Sequence, residues 1–156
     1  MALRMNEIRG VRVYGAVWND YAEYRQSLED LQPGRVAVEK GDDYITLSNE
    51  RLLPGGLIVS DTYGFIIGEQ DIENEYSIPI AVSGRVLAYI NPEEEENIEI
   101  GAAVCTGPNG TVSIMTREEI VEYPERIIGT ISSKPNTKVW GTGNVSTEGR
   151  IWIRVR

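Results

Sequence analysis

Carboxylates are the residues of this sequence with the clearest capacity for acid–base chemistry. Asp20, Glu23, Asp61 and Glu69 precede or follow apolar segments, and any two of them brought together could act as a general acid and a general base. Spacing alone does not bring them together, so solvated surface charge is the simpler interpretation. The acidic run at 93–96 predicts a solvated loop, because four adjacent carboxylates cannot all converge on one cation.

Nucleophilic side chains give weaker signals. Cys105 lies in an apolar strand pattern at 102–105, which is typical of a buried small hydrophobe. Ser132, Ser133 and Lys134 could form a serine–lysine dyad, although a strand end with ordinary polar residues is the simpler interpretation. The chain has no histidine, which excludes a Ser-His-Asp triad and histidine-ligated zinc. No glycine-rich phosphate loop is present, so we expect neither a cofactor nor a metal.

Composition limits the partners of the chain. The sequence has 156 residues, 41% of them hydrophobic, which suits one domain with a real core or one domain with an N-terminal extension. Its net charge of -9 argues against nucleic-acid binding, which requires clustered Lys and Arg. No apolar run approaches the roughly 18–20 residues of a membrane span, and residues 1–10 contain no signal-peptide core.

The elements that would position these side chains are mostly strands. Apolar residues recur with period two in short segments separated by Gly, Pro, Asn and Asp. This pattern predicts a mainly β fold, a compact β-clip or barrel-like domain of short antiparallel strands with one or two short helices. Hairpins are predicted at 35–48, 56–68 and 102–115, and further strands at 11–18, 126–132 and 150–155. A long strand at 78–90 should bend or bulge at Gly84.

Two segments favour helices. Thr116 and Glu119 fit a capping box, and that helix should end before Pro124. Residues 21–31 place apolar side chains at three- and four-residue steps, as an amphipathic helix would.

A short motif repeats along the chain. Residues 31–38 resemble 52–59, and 98–105 form a weaker third copy; each places a glycine before a strand that we expect to be buried. The tryptophans Trp18, Trp140 and Trp152 are interpreted as core or subunit-contact residues. The alternation around Trp152 predicts a strand buried on both faces.

Several stretches resemble bacteriophage proteins. Residues 6–8 and 11–17 resemble the last rungs of phage tail-fibre shafts, and 20–24 (DYAEY) resemble the motif that opens the C-terminal intramolecular-chaperone, autoproteolytic domains of phage appendage proteins. Segments 60–65, 84–89, 105–111, 124–130 and 149–153 are similar to C-terminal regions of structural proteins in Firmicutes prophages. The resemblance implies a shaft-like segment at 1–16 followed by a globular β domain at 17–156.

The resemblance implies a virion structural protein, assembled in the bacterial cytoplasm. Its partners would be two further copies of the chain, forming a trimer, and an upstream fibre shaft. A trimerising terminal domain makes physical sense, because registering three shaft chains is slow and the domain raises their effective concentration.

The resemblance also raises two alternatives. One is a single-turnover autoprotease that cuts the Asn19–Asp20 bond, with Asn19 attacking its own carbonyl and Asp20 or Glu23 managing protons. The sequence departs from the chaperone family after Tyr24. The other is a capsid decoration or host-surface-binding module that contacts wall glycans through exposed aromatic residues; its candidates are Tyr63, Phe65, Tyr89 and Trp140.

Overall fold

A computed structural model describes residues 19–68, 76–141 and 144–155. The shaft-like segment 1–16, the strand predicted at 11–18, Trp18 and Glu69 lie outside these residues. The twelve strands within them are β1 Asp20–Ser27, β2 Val36–Gly41, β3 Tyr44–Leu47, β4 Gly56–Ile58, β5 Tyr63–Ile67, β6 Ser77–Tyr89, β7 Ala103–Thr106, β8 Val112–Ile114, β9 Gly129–Ser133, β10 Val139–Trp140, β11 Val145–Ser146 and β12 Arg150–Val155. The helices are α1 Arg117–Glu122 and three 3₁₀ helices, Pro92–Asn97, Pro108–Gly110 and Pro124–Arg126.

One large curled sheet organises the described chain. Its strand order is β4-β2-β3-β1-β6-β12-β9-β7-β8, with β5 paired to β1, and β10 and β11 form a separate hairpin. The sheet curls into a half-barrel, which confirms the mainly β, barrel-like prediction. Most ladders are antiparallel, but β1 pairs in parallel with both β3 and β5. No helix in the described part of the chain is long and apolar enough to cross a membrane.

Strand β1 lies at the centre of this sheet. One of its edges pairs along almost its whole length with β6, and its other edge pairs with β5 near its start and β3 near its end. The core consists of two apolar clusters. The larger contains Val36, Ile58, Ala81, Val86, Ala88, Ile90, Val104, Val112, Ile128, Ile131, Ile151 and Ile153. The smaller contains Leu31, Ala37, Ile45, Val59, Ile78 and Ile80.

Two of the three predicted hairpins are confirmed. Strands β2 and β3 meet at a tight turn in which Asp42 and Asp43 both have positive φ (51° and 64°), as a hairpin with a twisted two-residue loop requires. Strands β7 and β8 form the hairpin predicted around 107–110. The predicted hairpin at 56–68 is wrong, because β4 pairs with β2 and β5 crosses to β1.

The helix predicted at 21–31 is wrong, and the helix predicted after Thr116 is confirmed. The first segment forms β1, because strands on both sides supply backbone partners that outweigh a local helical spacing. At the second, Thr116 Oγ1 accepts from Glu119 N and the Glu119 carboxylate accepts from Thr116 N, which completes the capping box. The strand predicted at 126–132 begins later, at Gly129, because a 3₁₀ turn precedes it.

The three copies of the glycine motif share a backbone conformation. Gly34, Gly55 and Gly101 have φ values of 87°, 71° and 87°, a region that favours glycine. The first two copies lead into β2 and β4, which pair with each other. The repeat therefore builds two adjacent strands of one sheet edge.

The long strand and its bend are also confirmed. Strand β6 runs through Gly84, whose φ is 101°, and its ladder with β1 shifts by one residue beside Val82. In β12, Ile151, Trp152 and Ile153 are all buried, as the alternation predicted. Trp140 packs edge-on against Trp152, with ring centroids 5.5 Å apart.

The acidic run at 93–96 forms a 3₁₀ helix, not an open loop. Asn91 caps it by accepting from Glu93 N at 3.2 Å. Glu94 turns inward and accepts from Ser113 Oγ and Ile114 N, both at 2.9 Å. The other three carboxylates of the run are exposed, as predicted.

Candidate functional site

Asp20 is the most strongly perturbed carboxylate of the described chain. It is the first residue of β1 and is only 3% exposed. Ser60 Oγ donates to one carboxylate oxygen at 2.7 Å, and Thr62 Oγ1 donates to the other at 2.8 Å. Thr62 N in turn donates to Ser60 Oγ at 3.1 Å, which holds that hydroxyl in place. The connection between β4 and β5 therefore closes over the start of β1.

Burial dominates the titration of this group. It raises the pKa of Asp20 from 3.8 to about 6, although the hydrogen bonds from Ser60 and Thr62 act in the opposite direction and nearby Asp61 adds a smaller increase. A carboxyl group with such a pKa can exchange a proton near neutral pH, which an ordinary surface carboxylate cannot do.

The peptide bond between Asn19 and Asp20 is held from the opposite strand. Arg85 N donates to the Asn19 carbonyl oxygen, and Arg85 Nη2 lies 3.4 Å from Asn19 Oδ1. Asn19 is 7% exposed, and its Nδ2 has no hydrogen-bond partner among the described residues. Gly84 makes this approach possible, since a Cβ there would lie 2.8 Å from Asp20 Cα and would overlap the Asn19 carbonyl.

Glu23 is not brought to that bond. It lies three residues along β1, roughly 10 Å away at strand spacing, and its side chain is exposed. It is paired there with Ile67 and Ile80. Of the three residues that the sequence suggested for cleavage, Asn19 and Asp20 flank the bond but direct their side chains to different partners, and Glu23 lies away from the bond.

Asp61 points to a different partner. Its carboxylate takes two hydrogen bonds from Arg150, at 2.6 and 3.1 Å, and the Arg150 side chain is only 3% exposed. Arg150 also donates to the carbonyl oxygens of Leu87 and Ser146. The three consecutive residues Ser60, Asp61 and Thr62 thus tie β1 to β12 through side chains on alternate sides of the chain.

The remaining nucleophile candidates, Cys105 and the segment 132–134, have surroundings typical of residues that only support the fold. Cys105 is fully buried, its Sγ lies 3.5 Å from the Ser113 carbonyl oxygen, and burial raises the pKa of its thiol. Ser132 and Ser133 end β9, and Lys134 is exposed just beyond it. Both observations agree with the simpler interpretations given above.

The four aromatic residues suggested for surface binding lie on three different strands. Tyr63 and Phe65 belong to β5, and Trp140 belongs to β10, where it packs on Trp152. Tyr89 belongs to β6 and lies beneath Arg35, whose guanidinium carbon is 3.9 Å from the ring centre. Tyr63 is 37% exposed, and the other three are half-buried.

Sequence reasoning found Asn19 and Asp20 but missed the residues that hold them. Ser60, Thr62, Gly84 and Arg85 are between 40 and 66 residues away along the chain. Gly84 carried a signal, since it interrupts a long strand pattern. Within 19–68, 76–141 and 144–155, no three His, Cys, Asp or Glu side chains group closely enough to hold a metal ion.

Comparison with protein-family models, with curated proteins and with solved structures finds no match to this chain.

Proposed function

We propose that this chain is an assembly domain of a bacteriophage appendage, which follows a fibre shaft, trimerises during assembly in the bacterial cytoplasm and then forms part of the virion. The observation that carries the proposal is the position of β1 and the contacts that hold its first residues. Strand β1 directly follows the shaft-like segment and is the central strand of the sheet. Its first residues are fixed by Arg85 N at the Asn19 carbonyl and by two hydroxyls at Asp20.

This arrangement suits a domain that must set the register of a preceding segment. Because β1 is paired on both edges, a displacement of Asn19 would disturb its ladders with β5 and β6. A terminal domain with a loosely held first strand could not fix where its shaft begins. The residue resemblances to phage fibres and prophage structural proteins supply the biological setting.

Strand β5 is the surface that we propose for contact between copies. Among the described strands it pairs only with β1, so no described strand covers its other edge. Tyr63 and Ile67 are 37% and 46% exposed on this edge, which carries no charged residue. Proteins usually protect such an edge with charge or proline unless it is covered.

Light scattering on the purified full chain tests this proposal. We expect a trimer for the wild type and loss of the trimer in I67K, which places a charge on the β5 edge. V121K is the matched control, because Val121 is 78% exposed on α1, away from that edge. A monomeric wild type would contradict the trimer and would favour a capsid decoration or host-surface-binding module. A trimer that survives I67K would contradict the assignment to β5.

A second function, self-cleavage, is favoured by one observation. The Asn19 carbonyl is polarised by Arg85 N–H, while Asn19 Nδ2 is buried and has no partner among the residues described. Attack of Nδ2 on the Asn19 carbonyl carbon would form a succinimide and break the bond to Asp20 N. The Nδ2 proton would pass to the departing amine of Asp20, and water would later open the succinimide.

Intact-mass spectrometry of the full chain distinguishes the two functions. Under self-cleavage we expect one fragment that begins at Asp20, and N19A should abolish it. E23Q should still cut, because Glu23 lies away from the bond. A wild type that stays intact after prolonged incubation would contradict self-cleavage and leave the assembly proposal unaffected.

A further inference from the structure

Two arginines, Arg85 and Arg154, lie directly opposite each other on β6 and β12. The register of these strands pairs Tyr89 with Arg150, Leu87 with Trp152 and Arg85 with Arg154. Residues directly opposite in an antiparallel pair project from the same face, and like charges in that position are destabilising. A pair of opposed guanidinium groups therefore calls for a compensating anion.

Arg150, on the same strand as Arg154, is an arginine whose charge is balanced by a carboxylate. It is buried and held by the Asp61 carboxylate through two hydrogen bonds. Neither Arg85 nor Arg154 has a carboxylate partner among the residues that the structure describes. Arg85 stacks over the Trp152 ring at 4.8 Å, and Arg154 is exposed. In a chain of net charge -9, two neighbouring arginines with no carboxylate partner in the described part are unexpected for simple surface charge.

A pocket of about 300 Å³ opens beside this pair. Asn19, Tyr21, Ser83, Arg85 and Arg154 line it together with Asp20 and Gly84. The side chain of Asn19 contacts Arg85 and presents a buried Nδ2 that has no partner in the described part of the chain.

The one acidic residue of the lining does not offer its charge to the pocket. Both carboxylate oxygens of Asp20 accept from Ser60 and Thr62. Successive residues of a strand point to opposite faces, so the Asp20 carboxylate and the Asn19 amide lie on different sides of β1. The pocket therefore presents hydrogen-bond donors and positive charge on the face of Arg85.

The geometry points to a binding site for one oxyanion group, a carboxylate or a phosphate, held between Arg85 and Arg154 with Asn19 Nδ2 as a further donor. Planar guanidinium groups bind both kinds of group through paired hydrogen bonds. The volume is at the lower end of small-ligand sites, which suits a single acidic group or acidic sugar. This site does not depend on the proposed oligomeric state.

Titration calorimetry on the full chain tests this site, with inorganic phosphate, glucuronate and glucose as probes. Glucose is the neutral counterpart of glucuronate, so it separates recognition of the charge from recognition of the sugar. We expect saturable binding of phosphate or glucuronate and none of glucose. R154Q should weaken the binding at least about tenfold, and R154K should weaken it less, because lysine keeps the charge but loses the planar fork.

R117Q is the control variant, since Arg117 is exposed on α1 and its replacement removes the same charge elsewhere. Circular dichroism on each variant establishes that it is folded. If R154Q does not fold, R154K tests the role of Arg154 in its place. Tighter binding of phosphate than of glucuronate would identify a phosphate site. Tighter binding of glucuronate would identify a carboxylate site. Absence of saturable anion binding, equal binding of glucose, or equal weakening by R117Q would overturn the inference.

Discussion

Replacing Asp20 with asparagine should change the pH dependence of stability more than any other single carboxylate substitution in β1. The side chain keeps its shape but loses its charge. The pKa of Asp20 is raised from 3.8 to about 6 by burial, and this difference corresponds to roughly 3 kcal/mol of unfolding free energy.

The sign follows from proton binding. Between pH 3.8 and about 6 the folded state holds a proton at Asp20 that the unfolded state has released, because the pKa of Asp20 is higher in the fold. This contribution to stability is complete below pH 3.8 and is lost as the pH rises through 6. D20N cannot titrate, so its stability relative to the wild type should increase with pH.

Urea unfolding followed by tryptophan fluorescence measures the effect. The chain has a pI near 4.6, so measurements should begin at about pH 5 to limit precipitation. About half of the total effect, roughly 1.4 kcal/mol, remains between pH 5 and 7.5. E23Q removes an exposed carboxylate from the same strand and controls for net charge.

The pH dependence of the difference in unfolding free energy between D20N and the wild type is the quantity that tests this reasoning. A difference that stays constant between pH 5 and 7.5, or one that E23Q reproduces, would refute the raised pKa of Asp20. A carbon-13 titration of the Asp20 carboxyl with a midpoint near pH 4 would refute it directly.

Two further substitutions test the contacts around this strand, each by urea unfolding. G84A should cost at least about 3 kcal/mol, because φ is 101° and the new Cβ would overlap the facing strand, whereas G68A, with φ of 93° but open space, should cost only about 1 kcal/mol. Equal losses would contradict the close approach. D61N should cost about 3–5 kcal/mol by leaving the buried Arg150 without its carboxylate, whereas E39Q in an exposed ion pair should cost less than about 1 kcal/mol. A small loss in D61N would mean that Arg150 is adequately held by carbonyl oxygens alone.

The parts of the fold that could be predicted from sequence are those that local chemistry determines. The turn at Asp42 and Asp43 and the capping box at Thr116 involve residues within a few positions of each other. The irregularity near Gly84 was signalled by a glycine inside a long strand pattern. In contrast, β1 is a strand because of pairing with residues 43 to 64 positions away, which its own three- and four-residue spacing does not reveal.

The resemblance alone suggested Asp20 or Glu23 for managing protons at the Asn19–Asp20 bond, and a resemblance does not show which faces the two side chains occupy. In the strand that actually forms, an odd separation places them on opposite faces. The partners of Asp20 could not be inferred either, because Ser60 and Thr62 are 40 and 42 residues away and are ordinary polar residues in the sequence.

The bulge in β6 determines which chemistry each face of β1 presents. Tyr21 pairs with Ser83 and Ala22 pairs with Ala81, so Val82 is the extra residue. A shift of one residue in such a ladder moves every side chain to the other face. The bulge therefore sets Gly84 opposite Asp20 and brings Arg85 to Asn19. Because bulges often re-aim side chains next to functional sites, this irregularity is where we expect changes in sequence to alter function before they alter the fold.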